Sequence, residues 1–415
     1  MNKLKGACVV GQSGGPTSVI NASAYGVISA SLRCPDITEV YAAQNGVLGL
    51  LDGSLFDMKQ EKLSELALLE HTPASAFGSC RYRLASFEED ESNYKKILDT
   101  FKKFDIRYFF YIGGNDSMDT CMQISRYCEH VGYDCRVIGV PKTIDNDLVG
   151  TDHCPGYGSA AKYIATSVAE IALDLEVYRP SSVVVVEIMG RNAGWLAAAS
   201  ALANVGGRGP DLIYLPEVAF DIDRFTQEVA DVYSKKGMCL VASSEGVRDG
   251  DGKFISQYSS NASGKRDAFG HIQMGGLAPT LTALIRDELK VKARGIELSL
   301  LQRCAAHCAS QTDIDEACEA GRRAVSFAVE GKTAGMVSYI REGGDRYACG
   351  YALTPLEDVA NLEKQVPREW INAQGNGVTE DFVKYALPLV QVMPEIPTEN
   401  GLPRYARLKK NLAEK

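Results

Sequence analysis

The feature that most restricts the fold is a unit that recurs within residues 1–157: a short apolar or β-branched run, a polar turn, then a helical pattern. Residues 6–11 enter the turn Gln12-Ser13-Gly14-Gly15-Pro16-Thr17-Ser18, after which Val19, Ile20, Ala22, Tyr25 and Ile28 carry a helical stripe. Residues 108–112 end in Gly113-Gly114-Asn115-Asp116-Ser117, with a helix predicted over about 118–130. Residues 137–140 stop at Pro141, which cannot donate to a β-ladder, and a loop then presents Lys142, Thr143, Asp145 and Asp147. Apolar runs without alternation are the mark of parallel strands buried on both faces. Strands alternating with helices predict a doubly wound α/β unit, whose ligand sites lie at the carboxyl ends of the strands.

The alternation continues. A long helix is expected over 158–176, a Val-rich strand over 182–188, a strand over 212–215, a helix over 223–236 and a strand over 238–243. The second of these ends in Met189-Gly190-Arg191 and the last in Glu245-Gly246. This is a second α/β unit with Arg191 and Glu245 displayed at strand ends. They form either an ion pair with each other or the cation and carboxylate that a sugar phosphate requires. Further expectations are a strand over 39–43, a helix carrying Tyr94, Ile97, Leu98 and Phe101, and a helix near 280–289. A helix opens at Thr312 with Asp315 in the capping-box position and extends to about 329, and the tail after Pro367 reads as surface structure with a basic end.

The formal charge of −9 and pI near 5.3 argue against a general binder of nucleic acid or anionic membranes. No segment approaches the ~18 apolar residues of a membrane span, and no signal peptide is apparent. The 12 cysteines, scattered through apolar stretches, predict a reduced, cytoplasmic protein. Cys304, His307 and Cys308 have metal-like spacing, but no second Cys/His pair completes four ligands, so helix packing is the expected role.

The turns have local alternatives. A strand, Gly-rich turn and helix start aims backbone N–H groups at a phosphate, and the same glycines also make an ordinary tight turn. Asp116 or Ser117 fits a helix cap as well as a phosphate and metal loop. Arg81 and Arg83, in a loop-like region, suit either an anion or a solvated surface.

Taken together, Gly-Gly-Asn-Asp-Ser at 113–117, Pro-Lys-Thr-Ile-Asp-Asn-Asp at 141–147, Met-Gly-Arg at 189–191 and Glu-Gly at 245–246 resemble the phosphofructokinases in order and spacing. The resemblance implies two α/β domains facing across a cleft: a donor domain of residues 1–157 plus about 274–330, and a sugar-phosphate domain of 158–273 plus about 331–415. It implies transfer of a phosphoryl group to the 1-hydroxyl of fructose 6-phosphate, with Asp145 as general base. Thr143, Ile144 and Asp145 would meet the reacting groups. Met189, Gly190, Arg191, Glu245 and His271 would hold the sugar phosphate. Gly14, Gly15, Arg81 and Gly114 would hold the donor, and Asn115 and Asp147 would sit at Mg2+.

Two positions bear on the donor. ATP-dependent members usually carry Gly where this chain has Asp116 and Lys142, and the pair resembles the pyrophosphate-dependent branch. A carboxylate where a nucleotide phosphate would approach repels it, and a fixed ammonium offsets charge developing on the transferred group. A structural salt bridge between Asp116 and Lys142 is the competing explanation. Asn115 replaces an Asp associated with Mg2+, and Met274 replaces an Arg that clamps the sugar phosphate, leaving Lys265, Arg266 or Arg286 to substitute. The alternatives are an ATP-dependent enzyme, a sedoheptulose 7-phosphate kinase, and a non-catalytic regulatory subunit of the same fold. The resemblance also implies a reversible glycolytic reaction and a homodimer or homotetramer.

Overall fold

The computed structural model describes residues 4–178, 180–258, 276–344 and 346–414. In chain order its main strands are β1 (Gly6–Gln12), β2 (Ile37–Ala43), β3 (Leu55–Asp57), β4 (Ile106–Gly113), β5 (Arg136–Pro141), β6 (Val183–Ile188), β7 (Leu212–Tyr214), β8 (Cys239–Ser244), β9 (Ala293–Glu297), β10 (Gly335–Arg341) and β11 (Cys349–Pro355). They form a seven-stranded sheet in the order β11-β10-β5-β4-β1-β2-β3 and a four-stranded sheet in the order β7-β8-β6-β9. Within the first sheet β2, β1, β4, β5 and β10 run parallel, and the edge strands β3 and β11 are antiparallel to their neighbours. The second sheet is wholly parallel.

The central strands are uniformly apolar because helices cover both faces. Val9, Phe109 and Val137 face a cluster with Tyr94, Ile97 and Phe101 of the helix Ser92–Phe104 and with Met118 and Ile124 of the helix Asn115–His130. Their neighbours Cys8, Phe110 and Ile138 face the helices Ile20–Arg33 and Gln311–Val329 through Val27, Ala320 and Ala324. Burying one such large side chain contributes roughly 1.5–3 kcal/mol. The second sheet is sandwiched likewise, with the helix Tyr157–Leu175 on one side and the helices Ile222–Lys236 and Leu277–Leu289 on the other. Among the described residues no helix is long and apolar enough to cross a membrane.

Several elements differ from expectation. Residues 277–297 do not return to the first unit, since the helix Leu277–Leu289 packs on the second sheet and β9 extends it. The return comes later, with the helix Gln311–Val329 and with β10 and β11, which join the first sheet although the expected division placed 331–415 in the second unit. The helix expected from Thr312 starts at Gln311 behind Ser310, and Asp315 pairs with Gln311 at 2.8 Å, so the Thr312 capping box does not form. Nor is the tail after Pro367 only surface: Ile371, Phe382, Ala386 and Leu389 complete the core of the second unit.

Between the loop after β5 and the β10–β11 hairpin lies a largely buried charged network. His153 Nδ1 is 2.9 Å from Asp152 and Nε2 is 2.7 Å from Glu316. Tyr347 donates to Glu316 at 2.6 Å and Arg341 pairs with Asp152 at 3.0 Å. Burial works against a charge on His153, but the hydrogen bonds to Asp152 and Glu316 outweigh it and raise its pKa. Burial likewise opposes ionisation of Asp152, and hydrogen bonds from His153 and Arg341 overcome it and pull that carboxyl down to about 2.

Candidate active site

Sheet register brings the three polar turns together. Gln12 lies opposite Ile112, and Gly113 opposite Pro141, so the loops that follow β1, β4 and β5 leave the sheet side by side. Lys142 ties them to one another. The residue is only 3 % exposed; its N–H donates to Gly113 O at 2.9 Å, and its ammonium donates to Gly15 O at 2.6 Å. Gly14 has φ +73°, a conformation costly to any residue with a Cβ, and a Cβ there would stand 3.3 Å from that ammonium. The turn is closed by Ser79, whose hydroxyl donates to Gly14 O at 2.7 Å, and by Cys80, whose carbonyl accepts from Gly14 N at 3.3 Å. That places Arg81, one residue further on, at the rim of the same turn.

Asp116 lies exposed in the first turn of the helix Asn115–His130. The helix is capped by Gly114 with no side-chain cap, so neither Asp116 nor Ser117 serves as one. The Asp116–Lys142 salt bridge is also not formed: Asp116 is exposed on its helix, and the ammonium donates to Gly15 O.

Arg303 was not foreseen. Its Nη1 lies 3.2 Å from where a Cβ on Gly15 would stand, and burial followed by the neighbouring charge of Arg81 lowers its pKa. Burial lowers Lys142 to about 8; Asp145 and Asp147 resist that shift, while Arg303 and Arg81 add to it. Three cations from separate parts of the chain thus converge on the Gly14–Gly15 turn. Gln302 beside Arg303 is buried and accepts from Met189 N at 3.0 Å, so the short helix Leu301–Cys304 touches both units. Sequence patterning offered no signal for this, because Leu-Leu-Gln-Arg-Cys reads as a plain helical turn. Met274, Lys265, Arg266 and His271 lie outside the described residues. Arg286 donates to Ala293 O at 3.2 Å and to Thr282 at 3.3 Å, on its own helix and the strand beside it.

The loop after β5 is shaped by Asn146, which is fully buried at φ 55°. Its amide donates to Tyr385 Oη at 2.9 Å and accepts from Cys154 N at 2.9 Å. With Asn146 turned inward, Asp145 and Asp147 on either side are only partly buried and border the cleft. Asp145 N donates to Thr143 Oγ1 at 3.1 Å, and Ile144 packs into the core of the second unit. Burial and the negative charge of Glu245 push Asp145 up to about 6 against the pull of Lys142 and Arg191. Burial, Asp145 and Glu363 push Asp147 up to about 7.

The opposing wall is built on β6 and β8. Ser244 donates to Gly190 O, and Glu245 N donates to Ile188 O at 2.8 Å, which fixes the Met189-Gly190-Arg191 turn against Glu245. Gly246 is obligatory here, since a Cβ would come within 2.0 Å of Arg191 O. Burial and Glu187 raise Glu245 to about 7, while Gly190 N–H and Arg191 counteract. Asp145 feels both Glu245 and Arg191, so the two walls face one another across a single cleft.

The helix predicted through Cys304 and Cys308 breaks at Ala305, and Cys308 packs at 3.7 Å from Thr166 of the helix Tyr157–Leu175. Another segment unforeseen at the site is 361–366. Asn115 donates to Leu362 O and accepts from Asn361 N at 2.7 Å, Glu363 accepts from Asn192 at 2.9 Å, and Lys364 N donates to Asp147 O at 2.7 Å.

Known proteins share this arrangement. Residues 7–296 match the family model described as Phosphofructokinase. The chain is 47% identical over 408 residues to the pyrophosphate--fructose 6-phosphate 1-phosphotransferase of Halomonas elongata, covering 97% of this chain and 96% of that one. It is 43% identical over 401 residues to the protein of that name from Methylococcus capsulatus, covering 96% and 94%. A crystal structure of the pyrophosphate-dependent phosphofructokinase of Nitrosospira multiformis superposes with a TM-score of 0.88 at 39% identity, covering 99% of this chain and 98% of that one. With the family model matched across both walls of the cleft, the chain belongs to the phosphofructokinase family.

Proposed function

We propose that the protein transfers a phosphoryl group from pyrophosphate to the 1-hydroxyl of fructose 6-phosphate, giving fructose 1,6-bisphosphate and phosphate. One observation carries the reading: a buried ammonium, Lys142, fixed on Gly15 O between two further cations and beside the carboxylate of Asp145. The names of the Halomonas and Methylococcus relatives support it.

Asp145 takes the proton of the sugar hydroxyl as its oxygen bonds to the terminal phosphorus and the bridging P–O bond breaks, releasing phosphate. A carboxyl held near pKa 6 is largely ionised at neutral pH, yet basic enough to accept that proton. Thr143 lies beside the transferring group. Lys142, Arg81 and Arg303 neutralise the charge on the donor and on the departing phosphate. Arg191 and Glu245 bind the sugar phosphate and its hydroxyls from the far wall, with His271 in the role the family resemblance gives it. Asp116 repels the additional phosphate of a nucleotide.

Asp147 and Asp145 form an oxygen-only donor set whose charges repel each other, which suits a hard divalent cation such as Mg2+. When bound, Mg2+ supplies charge neutralisation to the phosphoryl oxygens. Pyrophosphate and sugar bisphosphate are both phosphoryl donors, so the reaction runs in either direction. We place the protein in the cytoplasm as a homodimer or homotetramer. An assay of fructose 6-phosphate with pyrophosphate and Mg2+ tests the reading: formation of the 1,6-bisphosphate is expected, and turnover with ATP alone overturns the donor assignment.

A further inference from the structure

Asn115 stands in the donor loop where a metal-associated carboxylate is the family pattern, yet both ends of its amide are engaged elsewhere. Its Oδ1 accepts from Asn361 N at 2.7 Å and its Nδ2 donates to Leu362 O. The chain turns sharply there, with Asn361 at φ 63°. It then reaches the catalytic loop, where Lys364 N donates to Asp147 O at 2.7 Å and Lys364 Nζ donates to Asp152 O at 2.8 Å and Thr151 O at 3.1 Å. It also reaches the sugar wall. Glu363 accepts from Asn192 Nδ2 at 2.9 Å, and Asn192 in turn accepts from Arg248 at 2.8 Å. Trp195 Nε1 donates to Lys364 O at 2.9 Å, and the partly buried Glu217 joins Val366 N at 3.0 Å to Gly194 N at 2.8 Å.

Within six residues, then, one extended segment is bonded to the donor loop, the catalytic loop and the sugar loop. Extended backbone that makes few bonds to itself is ordered only by such outside partners, and each partner loses freedom in return. Phosphoryl transfer depends on in-line alignment of two substrates bound by different walls, and a displacement of about 1 Å costs up to ~100-fold in rate.

We infer that residues 361–366 are a positioning strap that holds the donor loop in register with the catalytic and sugar loops, and that Asn115 is its anchor and not a metal ligand. The effect on rate rests on the proposed phosphotransfer; the anchoring does not.

The test compares Asn115→Ala and Asn115→Asp with the wild-type chain. An aspartate still accepts from Asn361 N but has no amide hydrogen to give Leu362 O and repels it, so as an anchor it is weaker than asparagine; as a metal ligand it improves on asparagine. Hydrogen exchange over residues 356–366, read on the protein without substrates, is expected to quicken at least 10-fold in both variants. Turnover with pyrophosphate is expected to fall 10- to 100-fold in both. KM for fructose 6-phosphate should move less than about threefold, because Gln302 and Ser244 still hold the Met189–Arg191 turn. The conservative Glu363→Gln, which keeps an acceptor for Asn192, should retain most activity, and Glu363→Ala should not. Unchanged exchange in either Asn115 variant overturns the strap whatever the activity. So does an Asn115→Asp enzyme that keeps or gains turnover and needs less Mg2+. If the wild-type chain shows no pyrophosphate activity, the exchange result alone decides the anchor and the proposed function fails separately.

Discussion

The ammonium of Lys142 and the carbonyl of Gly15 are 2.6 Å apart, joining the loop after β5 to the loop after β1. This bond makes the donor site one object instead of neighbouring turns. It also leaves the ammonium with hydrogens to offer a phosphate beside the Gly14 turn. Lys142→Met keeps the stem and loses the charge. Turnover should drop at least 100-fold, as when a fixed transition-state donor is removed elsewhere, with a smaller rise in the pyrophosphate KM. Steady-state kinetics checks this, and a change confined to KM contradicts it.

Asp145 must be ionised to act and Lys142 must be protonated. Burial raises the first to about 6 and lowers the second to about 8. The profile of kcat/KM against pH should therefore be a bell, falling below about 6 and above about 8. In Lys142→Met the alkaline limb should flatten, and the acid limb should move to higher pH because Asp145 loses the cation that pulls it down. Asp145→Asn should abolish turnover and leave sugar binding within a few-fold by calorimetry.

Under the proposed reaction Arg303, at the Gly14–Gly15 turn, is expected to bind the phosphate-bearing substrate. Arg303→Gln should raise KM for a phosphate-bearing substrate about 10- to 100-fold, the worth of one charge-assisted hydrogen bond of roughly 1.5–3 kcal/mol. Arg286→Gln should leave KM unchanged, because that side chain is spent on Ala293 O and Thr282.

The His153 network predicts a signature in stability. His153 has a raised pKa when folded, so its contribution is complete below its unfolded value near 6.5 and is lost as pH rises through the folded value. Asp152 works at the other end: its contribution is present above its unfolded value of 3.8 and is lost as pH falls toward about 2. His153→Leu leaves the buried Glu316 with only the Tyr347 hydroxyl and should cost roughly 3 kcal/mol by denaturant titration near neutral pH. The loss should shrink in alkali.

Legibility followed burial pattern. The central strands β1, β4, β5, β6 and β8 were readable because helices cover both faces and leave unbroken apolar runs. β9 and β11 were not, since their residues are mostly exposed or partly buried and the runs contain Gly, Arg, Glu and Thr. The same is true of the tail, where Ile371 and Phe382 are separated by a stretch rich in Asn, Gly and acidic residues yet meet in one core. In the site, Lys142, Asp145, Asp147, Arg191 and Glu245 could be found because each immediately follows a readable strand. Arg303 and Asn361 come from short or irregular segments brought in by the fold, and no local pattern announces such a position. Asn115 was legible as a site residue, but the partner of its amide, 246 residues away at Asn361, was not.

The choice of donor is the central claim, and Asp116 is the residue with which to test it. The wild-type chain should turn over fructose 6-phosphate with pyrophosphate and show no activity above background with ATP. Asp116→Gly should lose pyrophosphate-dependent rate and acquire a measurable rate with ATP, checked by coupled assay of fructose 1,6-bisphosphate with each donor. A wild-type enzyme that uses ATP as well as it uses pyrophosphate would contradict the account.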